Sequence, residues 1–113
     1  MPTSGHTSSH FSVIVKDGDM QIVLAGDASY LETTMLRGIV DGISPDESVA
    51  KATLSLIRQL CMGHPTIYLP THDPESGARL SQRRPSSVRR NGRLLLSGLV
   101  SRSNDLIGFS ARR

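Results

Sequence analysis

The run Gln21-Ile22-Val23-Leu24-Ala25-Gly26-Asp27-Ala28-Ser29-Tyr30 constrains the chain more than any other stretch. Its opening residues suit a buried strand. Gly26-Asp27 then ends that strand with a carboxylate at its C-terminal lip, where α/β proteins commonly keep their chemistry. A charge placed there needs partners. His6 lies upstream in Ser4-Gly5-His6-Thr7, and His72 lies downstream in Leu69-Pro70-Thr71-His72-Asp73-Pro74-Glu75. Two imidazoles and a carboxylate at strand ends suggest a metal site, with Asp27 as the natural bridge between two cations and one histidine for each. The other reading stays open, since isolated histidines near turns are usually solvated or bonded to backbone. His10 and His64 take that second reading. His10 is expected to hydrogen-bond within its loop, and His64, beside Pro65 at a helix end, to face the helix C-terminal dipole.

The remaining composition sets limits. A chain of 113 residues is long enough for one small domain and too short for two. Its aromatics are Phe11, Tyr30, Tyr68 and Phe109, so the core must be aliphatic. Cys61 stands alone, which excludes an internal disulfide and a Cys-rich zinc site, and it is expected to be a buried helix thiol. No leader-like opening or bilayer-length apolar run is visible, so the expectation is a soluble cytoplasmic protein without a membrane partner. Charge divides the chain near residue 80. Up to Ala78 four basic residues face nine acidic ones; from Arg79 onward nine arginines face Asp105 alone.

Local patterns predict the elements. Phe11–Lys16 and Met20–Ala25 are β-rich runs joined by Asp17-Gly18-Asp19, which reads as a hairpin. Leu31–Ile43 is consistent with a short helix or a loop. Ser44-Pro45-Asp46-Glu47 reads as a helix start with Ser44 as N-cap and Glu47 completing a capping box. The expected inward stripe is Val49, Ala52 or Thr53, Leu56, Ile57 and Leu60, until Gly63 and Pro65 stop the helix. Thr66–Leu69 follows as a buried strand ended by Pro70, and Pro74 can open a last helix through Leu80.

Three segments then carry a resemblance. Thr3-Ser4-Gly5-His6-Thr7-Ser8-Ser9-His10, Ala25-Gly26-Asp27-Ala28-Ser29-Tyr30 and Tyr68-Leu69-Pro70-Thr71-His72-Asp73-Pro74-Glu75 resemble, in order and spacing, the last three metal motifs of metallo-β-lactamase-fold hydrolases. The Asp-Ala-Ser-Tyr and His-Asp-Pro-Glu runs look most like those of N-acyl homoserine lactonases, the quorum-quenching members. The resemblance covers roughly residues 2 to 80. It implies an α/β fold, specifically the C-terminal half of an αβ/βα sandwich, and metal-dependent opening of an acyl lactone or ester. It also implies two zinc ions, with His6 on one, His72 on the other and Asp27 bridging both. Tyr30 matches the tyrosine that donates a hydrogen bond to the substrate carbonyl or its oxyanion; a half-buried aromatic is the plainer alternative.

Departures from the pattern shape the expectation. The family has Pro where Ser4 stands and Pro-Gly where Ser8-Ser9 stand, so the His6 loop loses its stiffening. The His-x-His-x-Asp-His motif that supplies most ligands is absent. Weak zinc binding, no significant activity alone and an uncovered apolar sheet face are therefore expected, along with a possible complementing N-terminal half. The division expected is a partial domain over 1–80 and a disordered Arg/Ser-rich tail over 81–113. That tail could neutralise nucleic-acid phosphates, though it has no stacking platform, and a degenerate extension fits it better. A non-enzymatic fragment or basic nucleic-acid-binding protein is thus the alternative from a different class.

Overall fold

In the computed structural model, which describes residues 1–90 and 93–96, β1 (Val13–Asp17) and β2 (Met20–Gly26) pair antiparallel with Val15 opposite Ile22. This is the expected hairpin. Gly18 takes φ 63° at its turn, a left-handed conformation that glycine adopts without a Cβ clash. β3 (Thr66–Pro70) lies parallel on the other side of β2, with Tyr68 opposite Val23. Parallel neighbours need a long crossover, supplied by α1 (Glu32–Arg37) and α2 (Glu47–Gly63). The β2–β3 register shifts between Leu24 and Gly26, an irregularity that re-aims the end of β2 just where Asp27 follows. α3 (Ser76–Ser81) and a hairpin of β4 (Ser87–Arg90) with β5 (Arg93–Leu96) complete the described elements.

The start and inner face of α2 differ from expectation. Asp46, not Ser44, is the N-cap: its Oδ1 accepts the amides of Ser48 at 3.0 Å and Val49 at 3.2 Å. A carboxylate there satisfies two orphan amides and meets the positive end of the helix dipole, advantages a serine two residues earlier does not match. Ser44 instead donates to Asp41 at 3.1 Å. The buried stripe is Ala50, Leu54, Ile57 and Cys61, while Val49 and Leu56 stay 40% and 49% exposed. Of the expected stripe Ile57 is fully buried and Leu60 half-buried, so the inward face is rotated from the expected one and shares Ile57 with it. Burial pushes the Cys61 thiol up to about 12, with the Glu32 carboxylate adding to the effect, so this cysteine is an inert core residue as expected.

The core lies on one face of the sheet. Val23, Ala25 and Tyr68 pack there with Met35, Leu54, Ile57, Cys61 and Val88. Val13, Val15 and Leu24 point to the opposite face and remain 54%, 42% and 46% exposed. One sheet face is thus apolar and open, as expected.

Packed structure continues past residue 80, against the expectation of a disordered tail from Ser81. Ser86 donates its amide to the Thr66 carbonyl at 2.8 Å and its hydroxyl to Glu32 at 2.6 Å, and Val88 enters the core at 3% exposure. The arginine-dominated composition hides these two inward residues. Three of the arginines are already engaged: Arg79 with Glu32 and Asp73, Arg83 with Asp17, and Arg84 with Glu75. The rest of the expected tail, 91–92 and 97–113, lies outside the described residues. Among those described, no helix is long and apolar enough to cross a membrane.

Arg79 is the buried charge that joins these layers. It is 4% exposed and donates to the Tyr68 carbonyl at 2.9 Å and to Asp73 at 3.0 Å, while its Nε lies 3.3 Å from Glu32. Asp73 also accepts the amides of Glu32 and Glu75, both at 2.9 Å. Burial works to raise the Asp73 carboxyl, but the two amides and the guanidinium outweigh it and hold the group below its ordinary value. Removing one partner of such a pair strands the other, so Asp73→Asn is expected to cost about 3 kcal/mol of stability at neutral pH. A depressed folded pKa stabilises above the unfolded value of about 3.9 and is lost as pH falls through the folded one. Urea unfolding of both proteins at neutral pH and near pH ~3 should show the gap between them narrowing in acid.

Candidate metal centre

Each of the three predicted ligands is delivered by a different device. The His6 loop is seated on the first turns of α2, where a Cβ on Gly5 would meet Ala50 Cα at 2.9 Å. Thr53 donates its hydroxyl to the Ser4 carbonyl, and Ser4 donates its own to the Ser8 carbonyl at 2.8 Å. That second bond spans the corner where the resemblance led us to expect lost stiffening. Asp27 follows β2 directly. His72 follows β3, and the Thr71 amide donates to the Gly26 carbonyl at 3.0 Å, tying the two strand ends together.

The three side chains converge. Asp27 Oδ2 lies 3.6 Å from His6 Nε2, and Asp27 Oδ1 lies 3.2 Å from His72 Nε2. One carboxylate therefore presents a separate oxygen to each imidazole. Two ligands sharing a tetrahedral zinc at ordinary bond lengths stand about 3.4 Å apart, and the observed separations bracket that value. Asp27 Oδ1 is also buried without a hydrogen bond. A buried carboxylate oxygen is rarely left so, and a bound cation is one group that would satisfy it.

The donor count is small. Among the described residues, no group of three or more His, Cys, Asp or Glu side chains has the arrangement of a metal-binding cluster. Each Asp27 oxygen has one imidazole beside it, which gives two protein donors per cation where a closed zinc site uses four. The residues suit part of a dinuclear centre and not a complete one.

The neighbours refine the picture. The Tyr30 ring is half-buried, with its centroid 5.0 Å from that of His72 and 6.0 Å from that of His6, at the rim of the same site. His10 lies with its ring centroid 6.5 Å from that of His6. Its Nδ1 bonds Thr3 Oγ1 within the loop at 2.9 Å, as expected, while its Nε2 reaches beyond the loop and accepts the Asp27 amide at 3.0 Å. Asp41 escaped the sequence reading: its Oδ2 lies 3.5 Å behind His6 Nδ1, and its Oδ1 accepts the Ile43 amide at 2.9 Å. Burial works to raise the Asp41 carboxyl, but the Ile43 amide, the Ser44 hydroxyl and His6 together hold it low. The Asp-Gly turn at 41–42 was the one available signal, and it says nothing about which distant loop the carboxylate will face.

Comparison with solved structures fixes the architecture. The chain superposes on the crystal structure described as hydrolase AbOPH in the beta lactamase superfamily, with a TM-score of 0.65 over 86% of its length. The fold is metallo-β-lactamase-like. Sequence identity is 20%, and the chain spans 33% of that hydrolase. No family model and no curated protein matches. In this metallo-β-lactamase-like unit the converging residues all lie at the C-terminal ends of β2 and β3 or on the His6 loop that faces them.

The Gly5 contact gives a direct check on how the His6 loop is held. Gly5→Val overpacks the Ala50 contact and is expected to destabilise by about 1–3 kcal/mol. Thermal unfolding measures that loss, and amide hydrogen exchange should show faster opening confined to the Ser4–Ser8 loop.

Proposed function

We propose that this chain supplies one wall of a dinuclear zinc centre in a hydrolase that opens acyl lactones or esters, of the N-acyl homoserine lactonase type. The observation that carries the reading is the separate pairing of the two Asp27 oxygens with His72 at 3.2 Å and His6 at 3.6 Å. That arrangement is the one a bridging carboxylate needs. His6 and Asp27 would hold one zinc, and His72 and Asp27 the other. When bound, zinc supplies a water of lowered pKa and a Lewis acid for the carbonyl.

The chain's own residues supply orientation. Asp27 fixes the spacing between the two positions. Tyr30, whose ring lies near both imidazoles, would donate its phenolic proton to a substrate carbonyl oxygen, where negative charge develops. The lactone preference rests on the Asp-Ala-Ser-Tyr and His-Asp-Pro-Glu runs. Two donors per cation imply weak zinc binding and no significant activity by the chain alone. A complementing polypeptide that brings further His and Asp ligands and covers Val13, Val15 and Leu24 would supply both. Burying that apolar face gives such a partner its driving force.

Isothermal titration with zinc tests the reading. The wild type should bind weakly, Asp27→Ala should bind at least ten-fold more weakly, and His6→Ala and His72→Ala should each lose affinity. Equal affinity of wild type and Asp27→Ala would overturn the site. Opening of an acyl lactone by the zinc-supplemented chain alone at enzyme-like rates would overturn the requirement for a partner.

A further inference from the structure

The polarity of the hydrogen bonds around Gly26 assigns a role to His10. A backbone amide can only donate, so the Asp27 N–H at 3.0 Å requires an unprotonated Nε2 on His10. The ring proton of the neutral imidazole then sits on Nδ1, directed at Thr3 Oγ1 at 2.9 Å. With that oxygen accepting, the Thr3 hydroxyl donates to Ser12 Oγ at 2.8 Å, and Ser12 donates to the Ala25 carbonyl at 3.1 Å. The relay thus begins on one side of Gly26 and ends on the other, at the Ala25 carbonyl, which also accepts the Ala28 amide at 3.1 Å.

The packing agrees with the polarity. Thr3 and Ser12 are 0% and 1% exposed, so each hydroxyl depends on the relay for its partner. Gly26 has φ 59°, and a Cβ there would lie 2.9 Å from His10 Nε2 and 3.3 Å from its Cε1. The imidazole occupies the place where a side chain at position 26 would stand. Ala25 and Asp27 are therefore pinned by one connected set of side chains, Thr3 and Ser12 buried and His10 half-buried, on either side of the turn that carries the Asp27 carboxylate.

We propose that His10, as the neutral Nδ1–H tautomer, is the positioning residue for Asp27, acting through its backbone amide and the Thr3–Ser12 relay. This rests on the reading of Asp27 as a cation ligand. Groups behind metal ligands are typically worth 10–100-fold in affinity. A plain structural staple would lower stability without singling out the cation site.

Two measurements on the full chain test the proposal. In zinc-free protein at neutral pH, long-range proton–nitrogen NMR of labelled histidine should show His10 protonated on Nδ1 and bare on Nε2; a proton on Nε2 overturns the relay. In zinc titrations, His10→Ala should lose about 10–100-fold in affinity, and Thr3→Val a smaller factor. His10→Gln, whose carbonyl can accept the Asp27 amide, should recover most of the loss. Leu54→Ala, a core variant that makes none of the relay's hydrogen bonds, should unfold more readily yet bind zinc as the wild type does. Unchanged affinity in His10→Ala, or an equal loss in Leu54→Ala, overturns the positioning role. If wild type and Asp27→Ala bind alike, the cation reading itself fails, and with it the positioning of a ligand, whatever tautomer the NMR finds.

Discussion

Parallel pairing of β2 with β3 is the constraint on which the site depends. It brings Asp27 and His72, far apart in sequence, to adjacent strand ends, and the Thr71 amide to Gly26 carbonyl bond at 3.0 Å fixes that juxtaposition. The β2–β3 register shifts just before Asp27, and the two oxygens of that carboxylate face different imidazoles. A regular strand would keep the alternation of side chains and send position 27 to one face or the other. Site and strand pairing are therefore a single structural fact.

The crossover between those strands does more than connect them. α2 packs Leu54, Ile57 and Cys61 against Val23 and Tyr68, and its first turns carry the Gly5 contact that seats the His6 loop. Meanwhile Arg79 binds α1, β3 and the His72 loop through Glu32, the Tyr68 carbonyl and Asp73. Buried charge of this kind adds little net stability over an apolar filling, but it fixes relative placement because each oxygen and nitrogen has one satisfactory partner. Around Asp27 the chain is correspondingly polar and closely specified. On the far sheet face it is apolar and open.

Legibility in the sequence followed the range of the interactions. The β1–β2 hairpin was readable because two β-rich runs flank a glycine turn, and β3 because Pro70 ends a short apolar run. The existence of α2 was equally clear, yet its cap and buried face were not. Asp46 and Ser44 both make good caps locally, and whether Val49 and Leu56 or Ala50, Leu54 and Cys61 turn inward beside Ile57 is decided by the sheet. His6, Asp27 and His72 were identified through strand-end placement and family-like motifs. Asp41 was invisible because its contact with His6 joins two irregular loops, and the Thr3–His10–Ser12 relay because hydrogen-bond polarity leaves no periodic trace. Residues 82–88 were misjudged for the opposite reason: abundant arginine outweighed Ser86 and Val88, whose contacts are with distant elements.

The central claim is that Asp27 offers one oxygen to each of two cations. Anomalous scattering from crystals grown with zinc addresses it most directly. Peaks beside Asp27 Oδ1 with His72 Nε2, and beside Asp27 Oδ2 with His6 Nε2, are the predicted result. Zinc bound at other histidines with those two positions empty would contradict it.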